Sequence, residues 1–155
     1  MPIQRGLLMS FLVSIATLFS GSAFALHMIP TSTTFVAQGP FNVTVLGTNI
    51  QCTAVFIVVT DSAGQPTVTD AKFQGQTLCS LVKATQLPWK IEITSMTTGT
   101  IHNVALTVTP ITCTGNLPVI FSPLSTLTIP SSPMTSGCTV GGTLTVSPSY
   151  LIVSP

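Results

Sequence analysis

The stretch from Ile50 to Ile93 limits the fold of this chain more than any other. A β-branched run, Ile50 to Thr60, carries Cys52 near its start and breaks at Asp61-Ser62-Ala63-Gly64-Gln65-Pro66. It resumes at Thr67 to Phe73, meets Cys79 in Leu78-Cys79-Ser80, and closes on Trp89-Lys90-Ile91-Glu92-Ile93. Val, Ile and Thr fit a pleated surface, and an Asp/Gly/Pro cluster between two such runs is a turn. The stretch therefore predicts strand, turn, strand, cysteine staple and return strand. Val55, Ile57 and Val59 fall on one face of the first strand and Ala54, Phe56 and Val58 on the other, so that strand is expected to be central and buried on both sides. Trp89, Ile91 and Ile93 alternate with Lys90, Glu92 and Thr94, the pattern of a strand with one wet face.

The rest of the chain repeats this habit in short runs. Thr33 to Gln38, Phe41 to Leu46, Thr100 to Thr109, Pro118 to Phe121, Leu124 to Ile129, Gly142 to Val146 and Tyr150 to Val153 are each bounded by Pro, Gly or Ser. Prolines at 110, 118, 123, 130, 133 and 148 argue against a long helix and for strand ends or edges. One short helical turn is expected between Cys79 and Leu87, and Leu26 to Ser32 reads as a mobile or pairing arm. The fold expected is all-β: a disulfide-stapled antiparallel sandwich of short strands.

The first residues are of another kind. Arg5 precedes an apolar stretch, Leu7 to Phe19, and the small residues of Ser22-Ala23-Phe24-Ala25 follow, the pattern of a secretory signal cleaved after Ala25. Residues 1–25 are thus expected as signal and 26–155 as a single secreted β-domain that keeps no transmembrane anchor. Export makes the four cysteines, Cys52, Cys79, Cys113 and Cys138, a disulfide set rather than a metal site. Their spacings do not match a metal motif, and His27 and His102 adjoin no cysteine. Three pairings are open. The echo of Thr44–Thr53 in Leu106–Thr114, each followed by a second cysteine at a similar distance, favours Cys52–Cys79 and Cys113–Cys138.

Charged residues make up 5% of the chain, against about 25% in ordinary globular proteins. Loss of Arg5 leaves Lys72, Lys83 and Lys90 against Asp61, Asp70 and Glu92, a formal charge of zero. Such a chain has no basic patch for nucleic acid and no polybasic membrane motif. It also has little charge repulsion to oppose self-association or adsorption to apolar material.

Catalytic candidates are few, and each has a plainer reading. His102 is a general base in one reading and a surface strand residue in the plainer one. Asp61 and Asp70 fit ion ligands or, as well, a capped turn and a solvated strand face. Glu92 and Lys90 form a same-face pair. Three acids in the secreted part leave little scope for a carboxylate pair across a cleft, and neither a nucleophile elbow nor a phosphate loop occurs. Asn42-Val43-Thr44 matches a glycosylation acceptor, a motif common by chance. Trp89 reads first as a core ring beneath a disulfide and second, with Tyr150, as an apolar contact at the surface. No catalytic residue, metal or cofactor is expected.

Several pieces together resemble one family. The Thr34-Phe35 opening, Cys52-Thr53-Ala54, Ala71-Lys72-Phe73 with Leu78-Cys79-Ser80-Leu81, Leu87-Pro88-Trp89, and the closing run Cys138 to Pro148 are similar to the bacterial activators of alkane oxidation of the PraB type. The resemblance implies an extracellular, non-enzymatic protein, exported via the periplasm, that promotes growth on alkanes by dispersing hydrocarbon or helping cells meet it. Its partner would be hydrocarbon or another apolar surface. The alternative is a subunit of an extracellular fibre or biofilm matrix. In that case Leu26 to Gln38 and Thr143 to Val153 would serve as arms for β-strand addition.

Overall fold

The computed structural model describes residues 25–154, so the expected signal lies, apart from Ala25, outside the described residues. The strands are β1 (His27–Ile29), β2 (Thr34–Val45), β3 (Thr48–Thr60), β4 (Pro66–Gly75), β5 (Val82–Thr85), β6 (Trp89–Ile93), β7 (Thr98–Val108), β8 (Ile111–Ser122), β9 (Thr126–Pro133), β10 (Thr139–Ser147) and β11 (Leu151–Val153). Short 3-10 turns at Thr77–Leu81 and Thr135–Gly137 join β4 to β5 and β9 to β10. The first of these overlaps, at residues 79–81, the helical turn expected between Cys79 and Leu87, while β5 takes up most of the rest.

The expected sandwich gives way to a closed barrel of eight staves. Strands β2 to β10 follow a meander: β2–β3, β3–β4, β4–β6, β6–β7, β7–β8, β8–β9 and β9–β10 pair antiparallel, and β10 returns to β2. β5 and β6 lie in succession along one edge of β7 and make a single interrupted stave. The physical reason is connectivity. Tight hairpins lay each strand beside the last, the sheet twists with a constant hand, and its two edges meet, which removes both edges at once. Gly39 and Gly142 permit the closing contact: a Cβ on Gly39 would run into the Thr143 carbonyl oxygen, and one on Gly142 into that of Pro40.

Staves are also longer than the sequence suggested. β2 continues through Gly39-Pro40, and Pro118 and Pro130 sit inside β8 and β9. An antiparallel ladder alternates hydrogen-bonded with non-hydrogen-bonded pairs, so a proline is tolerated at alternate positions.

Period-two burial fills the barrel. Phe35, Ala37, Phe41 and Val43 of β2, Ala54, Phe56 and Val58 of β3, and Leu117, Val119 and Phe121 of β8 are all buried. Rings form a chain through the interior, with centroids 5.8 Å apart for Phe41 and Phe56, 5.4 Å for Phe41 and Phe73, and 6.1 Å for Phe56 and Trp89. The remaining space among Met28, Phe35, Val58, Ile91, Leu127 and Tyr150 is about 10 Å³. That is no more than one water needs, although some eight-stranded barrels hold a ligand. β3 is corrected too: its outer residues Val55, Ile57 and Val59 are half-buried on the barrel exterior rather than covered by a second sheet.

The two ends differ. At one, Cys52–Cys79 and Cys113–Cys138 tie the 3-10 segments to the starts of β3 and β8, with Cα separations of 5.7 and 5.9 Å. At the other, β1 and β11 pair as a two-stranded ribbon, His27 opposite Val153 and Ile29 opposite Leu151. The two terminal arms are thus occupied within the molecule. Met28 donates its N–H to the Gly64 carbonyl at 2.8 Å and is itself buried.

Candidate functional site

Neither ring expected as a surface contact reaches solvent. Trp89 is 1% exposed, donating its indole N–H to the Thr85 carbonyl at 3.0 Å. A cis peptide precedes Pro88 beside it. Tyr150 is equally buried; its ring meets Phe121 edge to face, and its hydroxyl donates to the carbonyls of Ser122 and Thr126. Both are apolar bodies whose one polar atom finds a partner inside the fold. Tyr150 nonetheless forms the floor of a groove at the ribbon end, about 360 Å³, whose walls are Ile29, Pro30, Leu124, Ser149 and Leu151. The backbones of Leu124 and Tyr150 bond each other reciprocally, at 2.9 and 3.3 Å, which fixes the β8–β9 hairpin against the ribbon. Burial pushes the Tyr150 phenol up to about 12.

The polar candidates do not converge. His102 Nε2 lies 2.6 Å from Glu92 Oε2 on the barrel exterior, so Glu92 pairs with His102 rather than with Lys90 as the sequence suggested. Glu92 lies opposite Thr100, which puts His102 at the diagonal position on the neighbouring strand, within side-chain reach. Lys72 and Asp70 approach at 3.9 Å and are well exposed. Asp61 accepts the N–H groups of Ala63 and Gln65, the capped-turn role. Among the described residues no three His, Cys, Asp or Glu side chains gather as for a metal.

What the structure does assemble is a separation of charge from apolar surface. Beyond His27, every Asp, Glu, Lys, Arg and His of residues 25–154 lies between Asp61 and His102. Asp70, Lys72, Lys83, Lys90, Glu92 and His102 therefore share the adjoining staves β4, β5–β6 and β7. The staves β8, β9, β10, β2 and β3 carry none, and they expose Thr, Ser, Gln and Pro together with Val36 and Ile120. The clustering along the sequence was available as a signal, but its meaning depends on the closure that puts those staves side by side.

Exposed leucines mark both ends. Leu46, Leu78 and Leu81 stand at the disulfide end, 78%, 42% and 47% exposed; Leu124 and Leu151, 55% and 41% exposed, stand at the ribbon end. A lone exposed leucine means little. Leu46 and Leu124, however, have φ of 51° and 87°. Left-handed backbone costs a β-carbon-bearing residue about 1–2 kcal/mol, and a hairpin such as Leu46-Gly47 favours Asn at its first place. Among the described residues the other non-glycine positions of positive φ are Ser32, Gln86, Asn103 and Ser136, all polar. The two most exposed large apolar side chains thus sit where neither burial nor backbone preference asks for leucine. Sequence reasoning missed both because positive φ is invisible until the hairpins are known.

No curated protein and no solved structure matches the chain. The family model described as alkane oxidation protein activator PraA/PraB-like matches residues 1–154, and the chain belongs to that family.

Proposed function

We propose that this is an exported, non-enzymatic protein that promotes hydrocarbon use by adsorbing where oil meets water or where a cell meets oil. Two disulfides suit an oxidising compartment outside the cytoplasm, and among the described residues no helix is long and apolar enough to cross a membrane. The filled interior leaves the exterior as the place for hydrocarbon contact, at roughly 25 cal/mol per Å² of apolar surface removed from water. The observation that carries the reading is the pair of leucines, Leu46 and Leu124, held exposed in left-handed backbone. A strained residue that the fold does not require points to use.

Asparagine tolerates positive φ, so Leu46→Asn with Leu124→Asn should preserve the barrel while removing both apolar tips. Oxidised protein 26–155 should lower hexadecane–water interfacial tension, and the double variant should lower it less at equal concentration, with its urea midpoint unchanged or raised. Equal lowering by both proteins, or none by the wild type, would sink the reading. The fibre alternative loses its proposed arms, since β1 pairs with β11 and the adjoining arm segments form β2 and β10 within the barrel.

A further inference from the structure

We propose that the barrel is a two-ended bridge, each tip engaging a separate hydrocarbon surface; this rests on the interfacial reading above. The register places the tips at opposite ends. Ser122 pairs with Thr126, Thr126 with Thr145 and Thr145 with Gln38, so the Leu124 hairpin lies level with the first residues of β2. Leu46 follows Val45 at the end of the same strand. A strand of that length, tilted as barrel strands are, spans roughly 30 Å. Closure of the sheet makes the spacer stiff, and the disulfides hold the turn segments beside Leu46, Leu78 and Leu81.

A neutral hydrocarbon is the partner that both leucine tips fit, His27 and Asp61 standing elsewhere on the ribbon end. At the ribbon end the groove walls are carbon except for Ser149, and the Tyr150 hydroxyl and the Leu124 and Tyr150 backbones are already bonded within the fold. Little is left there to recognise a ligand that needs hydrogen bonds. At the disulfide end the nearest charge along the chain is Lys83, on the neighbouring stave, while the Leu46 hairpin has none. A single apolar face would make a surfactant, which coats. Two apolar ends on a rigid spacer make a cross-link. The spacer also exceeds the screening length of about 8 Å at physiological salt, so two like-charged droplets can be joined beyond the range of their repulsion.

The test uses hexadecane droplets, with bound protein and droplet clustering measured separately on oxidised 26–155. Wild type should coat and cluster. Leu46→Asn and Leu124→Asn, each alone, should still coat but lose clustering, because one free end remains and cannot join two surfaces. Wild-type coating without clustering, as from a barrel lying flat, overturns the bridge and leaves adsorption standing. Clustering by either single variant at the wild-type level also overturns it, since contacts between adsorbed proteins would then be joining the droplets. Absence of coating overturns both readings.

Discussion

Tyr150 donates its hydroxyl to two carbonyls that close the β8–β9 hairpin, and the phenolate can donate to neither. Burial raises its pKa from 10.0 to about 12. The neutral form is the one the fold favours, so its contribution is full below the unfolded pKa near 10 and is lost as pH rises through the folded value. A shift of that size corresponds to about 2–3 kcal/mol. Urea midpoints should therefore fall between pH 10 and 12 in the wild type. Tyr150→Phe should start lower by about 1–3 kcal/mol, the carbonyls being left unpaired, and show a shallower fall across that window. A parallel fall in both proteins would assign the alkaline loss elsewhere. Trp89 gives a second residue-scale check, being the sole tryptophan and buried. Its emission should not shift when hexadecane droplets are added, whereas a shift would put it at the surface or show that adsorption opens the barrel.

At the scale of elements, the cysteines were readable early because their signal is local: a second cysteine closes each half at a similar interval. The echo between Thr44–Thr53 and Leu106–Thr114 corresponds to two equivalent objects, the β2–β3 and β7–β8 hairpins at the disulfide end, each carrying a cysteine on its second strand. Sequence separations of 27 and 25 residues make each bridge worth roughly 3 kcal/mol in unfolded-state entropy. Cys113→Ser with Cys138→Ser should lower stability by that order in urea titration, and a negligible change would show that the 3-10 turn is already held without the bond. The terminal ribbon was harder to see. Three-residue strands have no period to detect, and only the fold reveals that Met28 is covered. Removing residues 26–32 deletes that buried side chain, opens the core it covers and leaves β11 without its partner. It should cost about 1.5–3 kcal/mol from Met28 alone, where a mobile arm would cost nothing.

For the molecule as a whole, strand content and alternation were legible while closure was not. Whether staves form two facing sheets or one closed sheet turns on which strands pair at the ends, here β10 with β2 and β7 with β8, and alternation is the same in both. The error over β3 follows from this: apolar residues on both faces imply burial in a layered fold, whereas on a barrel the outer face of Val55, Ile57 and Val59 stays half-covered. Closure bears on the assembly question, because strand addition needs an unpaired edge, and the barrel leaves only the gap between β4 and β5 and the edges of the short ribbon. Near-zero charge would otherwise favour association. Oxidised protein 26–155 should therefore be a single barrel in dilute solution, with a radius of gyration of roughly 14 Å by X-ray scattering. It should remain so at high salt, where any repulsion between the charged staves is screened. Growth of large particles on adding salt would mean that the sheet opens and pairs with another copy. The fibre reading would then regain its footing despite the occupied arms.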